Sequence, residues 1–413
     1  MKIQSISSPF LADTWWFGLT KRLSAENFKK LAQLRIEQGF SAIQLVVGIP
    51  PEVGEENPNA ASEVGFPWTL QGEMNEAYLE LARHRIKYLN DIGLKVIVYG
   101  GWGHQIKWLG LGLMTEWWLK IIRYLDDLNV MYCLCGEVDL WIGTEMMLLP
   151  DKTTDDIFFN RTLNFVKPFK SKVASKLWKG FREVVNKSRK KERSNLWSSV
   201  LNKIASKTDK PIIVHTTGKI SGFEALQNAD LLACNTIQTG HHRNSRNLLW
   251  KTPLNLLKTN PEQKIINLEP WYEGIKDNFW QEDQLYAYWV SMIVGNAAYC
   301  YGAHGIWNVG DGKFLAHWGT QTFQQAISLI TPKLIGLSHH EYLKHQMDSA
   351  TVSYTLHKDT LIRITREDGQ KRMQFFPEIS AAKKFSFGKI WLPLEGAYTK
   401  KMPSNGMVVV FGD

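Results

Sequence analysis

The segment Ser41-Ala42-Ile43-Gln44-Leu45-Val46-Val47 has the aliphatic composition of a buried β-strand, and Lys95-Val96-Ile97-Val98-Tyr99 has it again. A long loop rich in Pro, Gly and Asn and a predicted helix from Asn75 to Ile92 lie between the two segments. Parallel strands need a crossover connection of this kind, usually through a helix. The order strand, helix, strand therefore predicts a parallel α/β fold.

The same strand–helix unit recurs through most of the chain. Further strands are predicted at residues 10–12, 131–135, 211–215, 231–235, 264–268 and 298–301, and further helices at 25–38, 115–128 and 321–337. Eight such units are the number in a (β/α)8 TIM barrel. From about Ser338 the sequence changes to short alternating runs separated by turns such as Asp368-Gly369, which predicts a small antiparallel β domain. We assign residues 1–337 to the barrel and 338–413 to the second domain.

The positive charge of the protein is concentrated in one segment. Lys167 to Arg193 contains eleven Lys or Arg and two Glu, so its net charge of +9 equals that of all 413 residues. Its apolar residues recur at helical spacing, which predicts a basic helical insertion at about 160–208. Such a helix is either a solvated outer helix or a contact for an anionic membrane surface or polymer. Nucleic-acid binding is not expected, because no recognised motif for it is present.

Cysteine usage and apolar segments indicate the cellular setting. The four cysteines are too few and too scattered for a disulfide framework, so we expect them to be reduced and buried: Cys133, Cys135, Cys234 and Cys300. The first nine residues lack the apolar stretch of a signal peptide. Gln284 to Gly310 has no charged residue, but its internal turn signals favour two buried elements over a membrane span. We expect a cytoplasmic protein, which could bind a membrane surface through the basic segment.

Two glutamates follow predicted strands on opposite sides of the barrel. Functional residues of a parallel barrel lie at the carboxyl ends of the strands, where Glu137 follows the fourth strand and Glu269 the seventh. Cleavage of a glycosidic bond needs one protonated acid and one ionised carboxylate. This pair therefore predicts a glycoside hydrolase. Asp139, Glu145 and Glu273 are weaker candidates, expected in loops or behind the site.

Aromatic and polar residues near the other strand ends are candidates for sugar binding. Indole rings stack on the apolar faces of sugars, and His, Asn or Gln can fix hydroxyl groups, although any one Trp could instead belong to the core. The candidates are Asp13, Trp15, Gln44, Trp102, His215, Gln238, His241, Trp271, Tyr272, His304 and Trp307. His241 and His242 are adjacent rather than one helical turn apart, so neither a metal nor another cofactor is expected.

Several blocks of sequence resemble the apiosidase-like glycoside hydrolases. They run in the order of that family: Phe10-Leu11-Ala12-Asp13-Thr14-Trp15-Trp16, Gly101-Trp102-Gly103, Cys135-Gly136-Glu137, Gln238-Thr239-Gly240-His241, Asn267-Leu268-Glu269-Pro270-Trp271-Tyr272-Glu273 and Tyr301-Gly302-Ala303-His304-Gly305-Ile306-Trp307. The resemblance implies a (β/α)8 barrel with a C-terminal antiparallel β-sandwich and a retaining double-displacement mechanism. By motif match it makes Glu137 the acid/base and Glu269 the nucleophile.

Two other functions fit the same residues. One is a catalytically inactive carbohydrate-binding protein on a hydrolase scaffold. The other is a membrane-surface protein that acts on a glycolipid-linked polysaccharide and docks through the basic segment. The resemblance identifies the family and leaves the sugar and its linkage open.

Overall fold

The computed structural model describes residues 9–140, 190–347, 349–382 and 388–412. Eight parallel strands form one sheet in the order β5-β4-β3-β2-β1-β8-β7-β6, a nearly closed TIM-like barrel. The strands are β1 Phe10–Trp15, β2 Ala42–Val46, β3 Lys95–Tyr99, β4 Val130–Cys133, β5 Ile212–Ile213, β6 Asn235–Gln238, β7 Ile265–Glu269 and β8 Ala298–Tyr301. The predicted barrel is confirmed.

The open edge of the sheet lies between β5 and β6. The Ala233 backbone N–H donates to the Ile212 carbonyl over 2.8 Å, and the Thr236 hydroxyl donates to the Val214 carbonyl. The sixth strand begins at Asn235, so its predicted position at 231–235 is wrong. This difference places Gln238 inside the strand, at the end that opens on the barrel mouth.

The helices lie between the strands along the chain. Their bounds are Ala25–Glu37, Glu76–Asp91, Ile106–Leu125, residues 190–204, Gly222–Ala225, Leu248–Thr259, Gln281–Ile293, His304–Trp307, Phe323–Ile327, Thr331–Lys344 and Ile379–Ala382. Single 3-10 turns occur at Pro58–Ala60, Gly103–Gln105, Ala229–Leu231, Arg243–Ser245, Ile275–Asp277 and Ala316–Trp318. The second helix matches its prediction, because the Asn75 side chain caps it by accepting from the Tyr78 N–H.

Two predicted helices have different bounds in the structure. The third helix was expected at 115–128 but begins at Ile106, and Gly110 with φ 77° kinks it. The helix expected at 321–337 is divided into Phe323–Ile327 and Thr331–Lys344. The second of these helices passes through the expected domain boundary, and the antiparallel strands begin at Thr351. The division into two domains stays a prediction.

The C-terminal residues form a second sheet of six antiparallel strands. The strands are β9 Thr351–His357, β10 Thr360–Glu367, β11 Arg372–Phe376, β12 Lys389–Leu392, β13 Ala397–Thr399 and β14 Val408–Gly412, in the order β13-β12-β14-β11-β10-β9. The sheet packs on the barrel helix Gln281–Ile293. Ring pairs join the two parts, Tyr286 with Phe375 at 6.0 Å and Trp289 with Phe411 at 6.2 Å.

Most of the basic segment lies outside the described residues, as does the first part of the predicted insertion. The last residues of the basic segment, 190–193, begin the helix 190–204. There, Lys190 lies 3.8 Å from Asp139, and the Arg193 side chain is buried and donates to the Leu140 carbonyl. Within the described ranges, the helices are too short or too polar to cross a membrane.

Two interpretations of apolar sequence agree with the structure. Gln284 to Gly310 contains most of the buried helix Gln281–Ile293, followed by β8, as two buried elements in series. The cysteines are free and buried. These segments belong to the core of the barrel.

Candidate active site

Glu269 is the last residue of β7, and two histidines contact its carboxylate. His241 Nε2 lies 2.8 Å from Glu269 Oε1, and His215 Nε2 lies 3.6 Å from Oε2. The Tyr272 backbone N–H donates to His241 Nδ1 over 3.4 Å, so Nε2 carries the proton that is donated to Glu269. Burial by itself raises the pKa of Glu269, but the hydrogen bond from His241 and the electrostatic effect of the His241 and His215 rings outweigh it and lower the pKa. Glu269 is therefore ionised at neutral pH.

Glu137 follows the end of β4 and has a left-handed backbone, with φ 43°. Trp102 Nε1 donates to Glu137 Oε2 over 3.1 Å, and Gln238 Nε2 donates to Oε1 over 3.3 Å. Burial and the charge of Glu269 raise the pKa of Glu137 to about 8, although both hydrogen bonds act in the opposite direction. Glu137 is therefore mostly protonated at neutral pH.

Gln238 connects the two carboxyl groups. It is the register partner of Glu269 across β6 and β7, where the pairing is irregular, and its amide donates to Glu137. Its hydrogen bonds lower the pKa of both glutamates. A protonated and an ionised carboxyl that interact electrostatically can divide the roles of acid and nucleophile between them.

Aromatic rings cover the barrel mouth on the side of Glu137. The Trp16 ring lies 4.7 Å from Tyr99 and 5.3 Å from Trp102, with edge-to-face geometry in both pairs. His215 stacks on Trp16 at 6.4 Å and meets Trp102 edge-on at 6.1 Å. Burial lowers the pKa of His215, so its imidazole is neutral at pH 7.

Further rings lie on the side of Glu269. Tyr272 packs on His241 with ring centroids 4.6 Å apart, and Trp307 lies 6.4 Å from Tyr272. A Cβ on Gly302 would lie 2.4 Å from the Tyr272 ring, so the close approach of this ring requires glycine. The site thus has carboxyls at its centre and rings on two sides.

The sequence model of the apiosidase-like catalytic domain matches residues 7–352, which cover the whole barrel. The chain belongs to the apiosidase-like family. No curated protein matches its sequence.

Several solved structures similar to this apiosidase-like protein are described as glycoside hydrolases, and their sequence identity to it is low. One described as a glycoside hydrolase has a TM-score of 0.71 at 13% identity, covering 98% of this chain and 92% of the other. A family 5 glycoside hydrolase from Bacteroides vulgatus has a TM-score of 0.70 at 13% identity, covering 98% and 89%. A family 5, subfamily 18 protein from Streptomyces cattleya in complex with GlcNAc has a TM-score of 0.50 at 9% identity, covering 83% and 82%. These likenesses support the fold.

The apiosidase-like barrel brings five of the predicted substrate-binding residues around Glu137 and Glu269, and Trp307 lies beside one of them, Tyr272. The five are Trp102, His215, Gln238, His241 and Tyr272. Their side chains come from the ends of different strands, which meet at one end of the barrel. Their roles toward a substrate stay predictions.

Asp13 and Trp15 are placed elsewhere. Alternate side chains of a strand point to opposite faces of the sheet, and these two residues point outward from β1. The Asp13 carboxylate accepts from Trp15 Nε1 at 2.7 Å and from Arg35 Nε at 2.6 Å, and both Asp13 and Arg35 are fully buried. The Trp15 ring packs edge-on against Phe28 at 5.5 Å. The predicted sugar contacts of Asp13 and Trp15 are therefore not supported.

Gln44 lies inside the barrel and already uses its polar atoms. Its Nε2 donates to Thr14 Oγ1 and to the Leu268 carbonyl, and its Oε1 accepts from the Tyr99 hydroxyl at 2.7 Å. It links β1, β2, β3 and β7 below the mouth. Because these internal hydrogen bonds occupy its amide, Gln44 supports the strand ends, and its predicted sugar contact is not supported.

Trp271 and His304 also make internal contacts. Trp271 Nε1 donates to Ser245 Oγ over 2.8 Å, and its ring stacks on Phe279 at 4.7 Å. His304 Nε2 lies 2.7 Å from the Gly319 carbonyl. The structure therefore places these two residues in loop packing beside the site.

Two of the weaker acidic candidates, Glu273 and Asp139, form hydrogen bonds with residues other than the Glu137–Glu269 pair. Glu273 accepts from the Tyr301 and Thr331 hydroxyls at 2.5 and 2.6 Å, and burial raises its pKa to about 7. Asp139 accepts from the backbone N–H and the hydroxyl of Thr217. Glu145 lies outside the described residues.

Tyr99 and Glu52, which are not among the predicted site residues, lie near Glu137 or its neighbours, as does Trp16, an indole that the sequence places at the end of the first strand. Trp16 directly follows β1, two residues after Thr14, whose hydroxyl bonds inside the barrel, so continuing the alternation of β1 by one residue could have distinguished it from Trp15. Glu52 lies in the loop after β2, with φ 70°, and its charge raises the pKa of Glu137. No spacing rule places a loop residue of this kind.

Within the described ranges, no three His, Cys, Asp or Glu side chains are grouped to hold a metal ion.

Proposed function

We propose that this apiosidase-like protein is a retaining glycoside hydrolase with a carbohydrate substrate. Glu269 is its nucleophile and Glu137 its acid/base. The proposal rests on one observation: Glu137 and Glu269 meet beside Gln238, where Trp102 and Gln238 donate to Glu137 and His241 donates to Glu269. In this arrangement the pKa of Glu137 is raised and that of Glu269 is lowered. A pair separated in this way supplies the acid and the nucleophile at one pH.

In the first step, Glu269 attacks the anomeric carbon and the glycosidic bond breaks. Glu137 donates its proton to the leaving oxygen, so the aglycone departs as an alcohol and a glycosyl ester of Glu269 remains. The hydrogen bond from His241 keeps Glu269 ionised and fixes the direction of its carboxylate. Loss of negative charge on Glu269 lowers the pKa of Glu137, because that charge is one of the causes of its high value.

In the second step, Glu137 acts as a base toward water. Water donates a proton to the Glu137 carboxylate and attacks the anomeric carbon, which releases Glu269 and restores both starting states. The fall in the pKa of Glu137 after the first step favours this change of role. The side chains of Gln238 and His215 lie beside the two carboxyls, where a sugar hydroxyl would approach.

To test this, the protein is incubated with a set of chromogenic and natural glycosides, and proton NMR identifies the anomer of the product that forms first. A retaining enzyme releases the anomer with the configuration of its substrate, and an inverted product would contradict the double displacement. Binding of oligosaccharides is measured in parallel by calorimetry. If the wild-type protein binds an oligosaccharide but does not hydrolyse it, the enzymatic function is contradicted and a carbohydrate-binding protein is favoured. Glu137→Gln should reduce turnover by about 10²–10⁴-fold on glycosides with poor leaving groups, and by less on activated aryl glycosides.

A further inference from the structure

The indole of Trp102 is enclosed on its faces, although it lies beside the reacting centre. Its side chain is 2% exposed. A Cβ built on Gly136 would lie 2.4 Å from its ring, so Gly136 packs directly on one face. Tyr99 lies nearly parallel to it at 6.0 Å, and Trp16 meets it edge-on at 5.3 Å. A sugar ring would have no open indole face on which to stack.

The polar edge of Trp102 is directed at Glu137. Its Nε1 donates to Glu137 Oε2 over 3.1 Å. The backbone beside it extends the pairing of β3 and β4, because the Gly103 N–H donates to the Gly136 carbonyl at 2.7 Å and the Gly136 N–H to Gly101 at 3.0 Å. Trp102 is thus fixed to the segment that carries Glu137.

This segment has a backbone that needs support. Glu137 has φ 43°, in the left-handed region that L-residues seldom adopt. Gly103 approaches it closely, since a Cβ on Gly103 would lie 2.7 Å from the Glu137 carbonyl oxygen. The indole over Gly136 and the close contact at Gly103 hold this turn from one side.

We propose that Trp102 is a positioning residue that fixes the Glu137 carboxyl, and that it is not a stacking platform for sugar. This inference deepens the proposed function and rests on it for the role of Glu137 as acid/base. The hydrogen bond favours the ionised form of Glu137, which makes proton donation easier. Gly136 and Trp102 then act as one unit, because only glycine leaves room for the ring.

The test compares Trp102→Phe with Trp118→Phe. Trp118 is a matched control: it is also fully buried and packs on a glycine, since a Cβ on Gly100 would lie 2.4 Å from it. Its Nε1 donates to the Leu134 carbonyl at 3.1 Å, and not to Glu137. Each substitution keeps an aromatic ring and removes one buried N–H group.

The readout is the pKa of the Glu137 carboxyl, from a carbon-13 NMR titration of glutamate-labelled protein with Glu137→Gln identifying the signal. Trp102→Phe should raise this pKa by about one unit, because a hydrogen bond to the ionised form is lost. Trp118→Phe should leave it unchanged. The basic limb of kcat/KM against pH should move upward by the same amount in Trp102→Phe, with KM within about twofold of the wild type.

An unchanged pKa in folded Trp102→Phe protein would overturn the proposal, as would a raised KM with an unshifted basic limb. If Trp102→Phe does not fold, Gly136→Ala is the second variant, because the added Cβ displaces the indole while its N–H stays present. It should also raise the pKa of Glu137, and an unchanged value in Gly136→Ala would overturn the proposal. Failure of the proposed function can be distinguished from failure of this inference. Full turnover by Glu137→Gln would show that Glu137 is not the acid/base, whereas the NMR titration tests only the effect of Trp102 on the Glu137 carboxyl.

Discussion

The barrel buries carboxylates in two regions and treats their charge in opposite ways. At the mouth, Glu137 and Glu269 interact with each other, and neither forms a salt bridge with Lys or Arg within the described ranges. In the wall between β1 and the first helix, Asp13 forms a 2.6 Å ion pair with Arg35. Another buried acid, Glu273, lies in the wall and accepts hydrogen bonds from two hydroxyl groups. The wall thus pairs its carboxyls with an arginine or with hydroxyl groups, whereas the mouth holds two interacting carboxyls in different protonation states, as an acid and a nucleophile require.

Substitution of a glutamate at the mouth should reduce activity far more than the same substitution in the wall. Glu269→Gln should lower kcat by about 10⁴–10⁶-fold, because the attacking carboxylate is lost while the shape is retained. Glu273→Gln, a matched change four residues along, should stay within about tenfold of the wild type, because Glu273 bonds to Tyr301 and Thr331 and not to the site. Steady-state kinetics on one glycoside measures both. Similar losses in the two variants would contradict the division between mouth and wall.

The sequence predicts the barrel well because the signal for it is local. Each strand is a short apolar run, and the residue that ends it carries the chemistry, so Glu269 at the end of β7 could be identified without a structure. The glutamate pair and its electrostatic coupling follow from the opposite placement of two strand ends. The motif around Glu137 was sufficient to locate it, although its left-handed backbone was not predicted.

The sequence fails where the facing of a side chain depends on a partner from a distant part of the chain. Trp15 and Trp16 are adjacent residues of the same type, so composition does not distinguish them. Asp13 and Trp15 face the helix that supplies Arg35. Trp16 instead packs against Tyr99. Gln44 has the right strand position for a ligand, yet its amide is hydrogen-bonded to residues of three other strands, β1, β3 and β7. Such competition for hydrogen bonds becomes visible only after the chain is folded.

A second prediction tests the wall by stability. Asp13→Asn should lower the free energy of unfolding by about 3–5 kcal/mol, because it leaves the Arg35 guanidinium as a buried charge without its carboxylate. Asp127→Asn is the control, since the Arg83–Asp127 pair is largely exposed and should contribute about 1 kcal/mol or less. Urea unfolding measures both. A stable Asp13→Asn protein with strongly raised KM would return Asp13 to the substrate site.

The smallest effect concerns pH and uses the raised pKa of Glu273. This value is about 7, against an ordinary value of 4.5, because burial disfavours the ionised form. The native carboxyl keeps its proton to a higher pH than the unfolded chain does. Native protein therefore binds more protons between about pH 4.5 and 7, and the contribution of Glu273 to stability is lost as pH rises through that window.

By pH 8 this loss amounts to about 3 kcal/mol, and Glu273→Gln removes it because an amide does not ionise. The variant should match the wild type in urea unfolding at pH 4.5 and exceed it at pH 8. Equal slopes of stability against pH in the two proteins would show that Glu273 is not the source. Burial also raises the pKa of Glu137, to about 8. Its substitution, however, should change turnover together with stability, whereas Glu273→Gln should change stability while keeping turnover. A raised carboxyl pKa therefore indicates the candidate active site only when that carboxyl also interacts with a second acid.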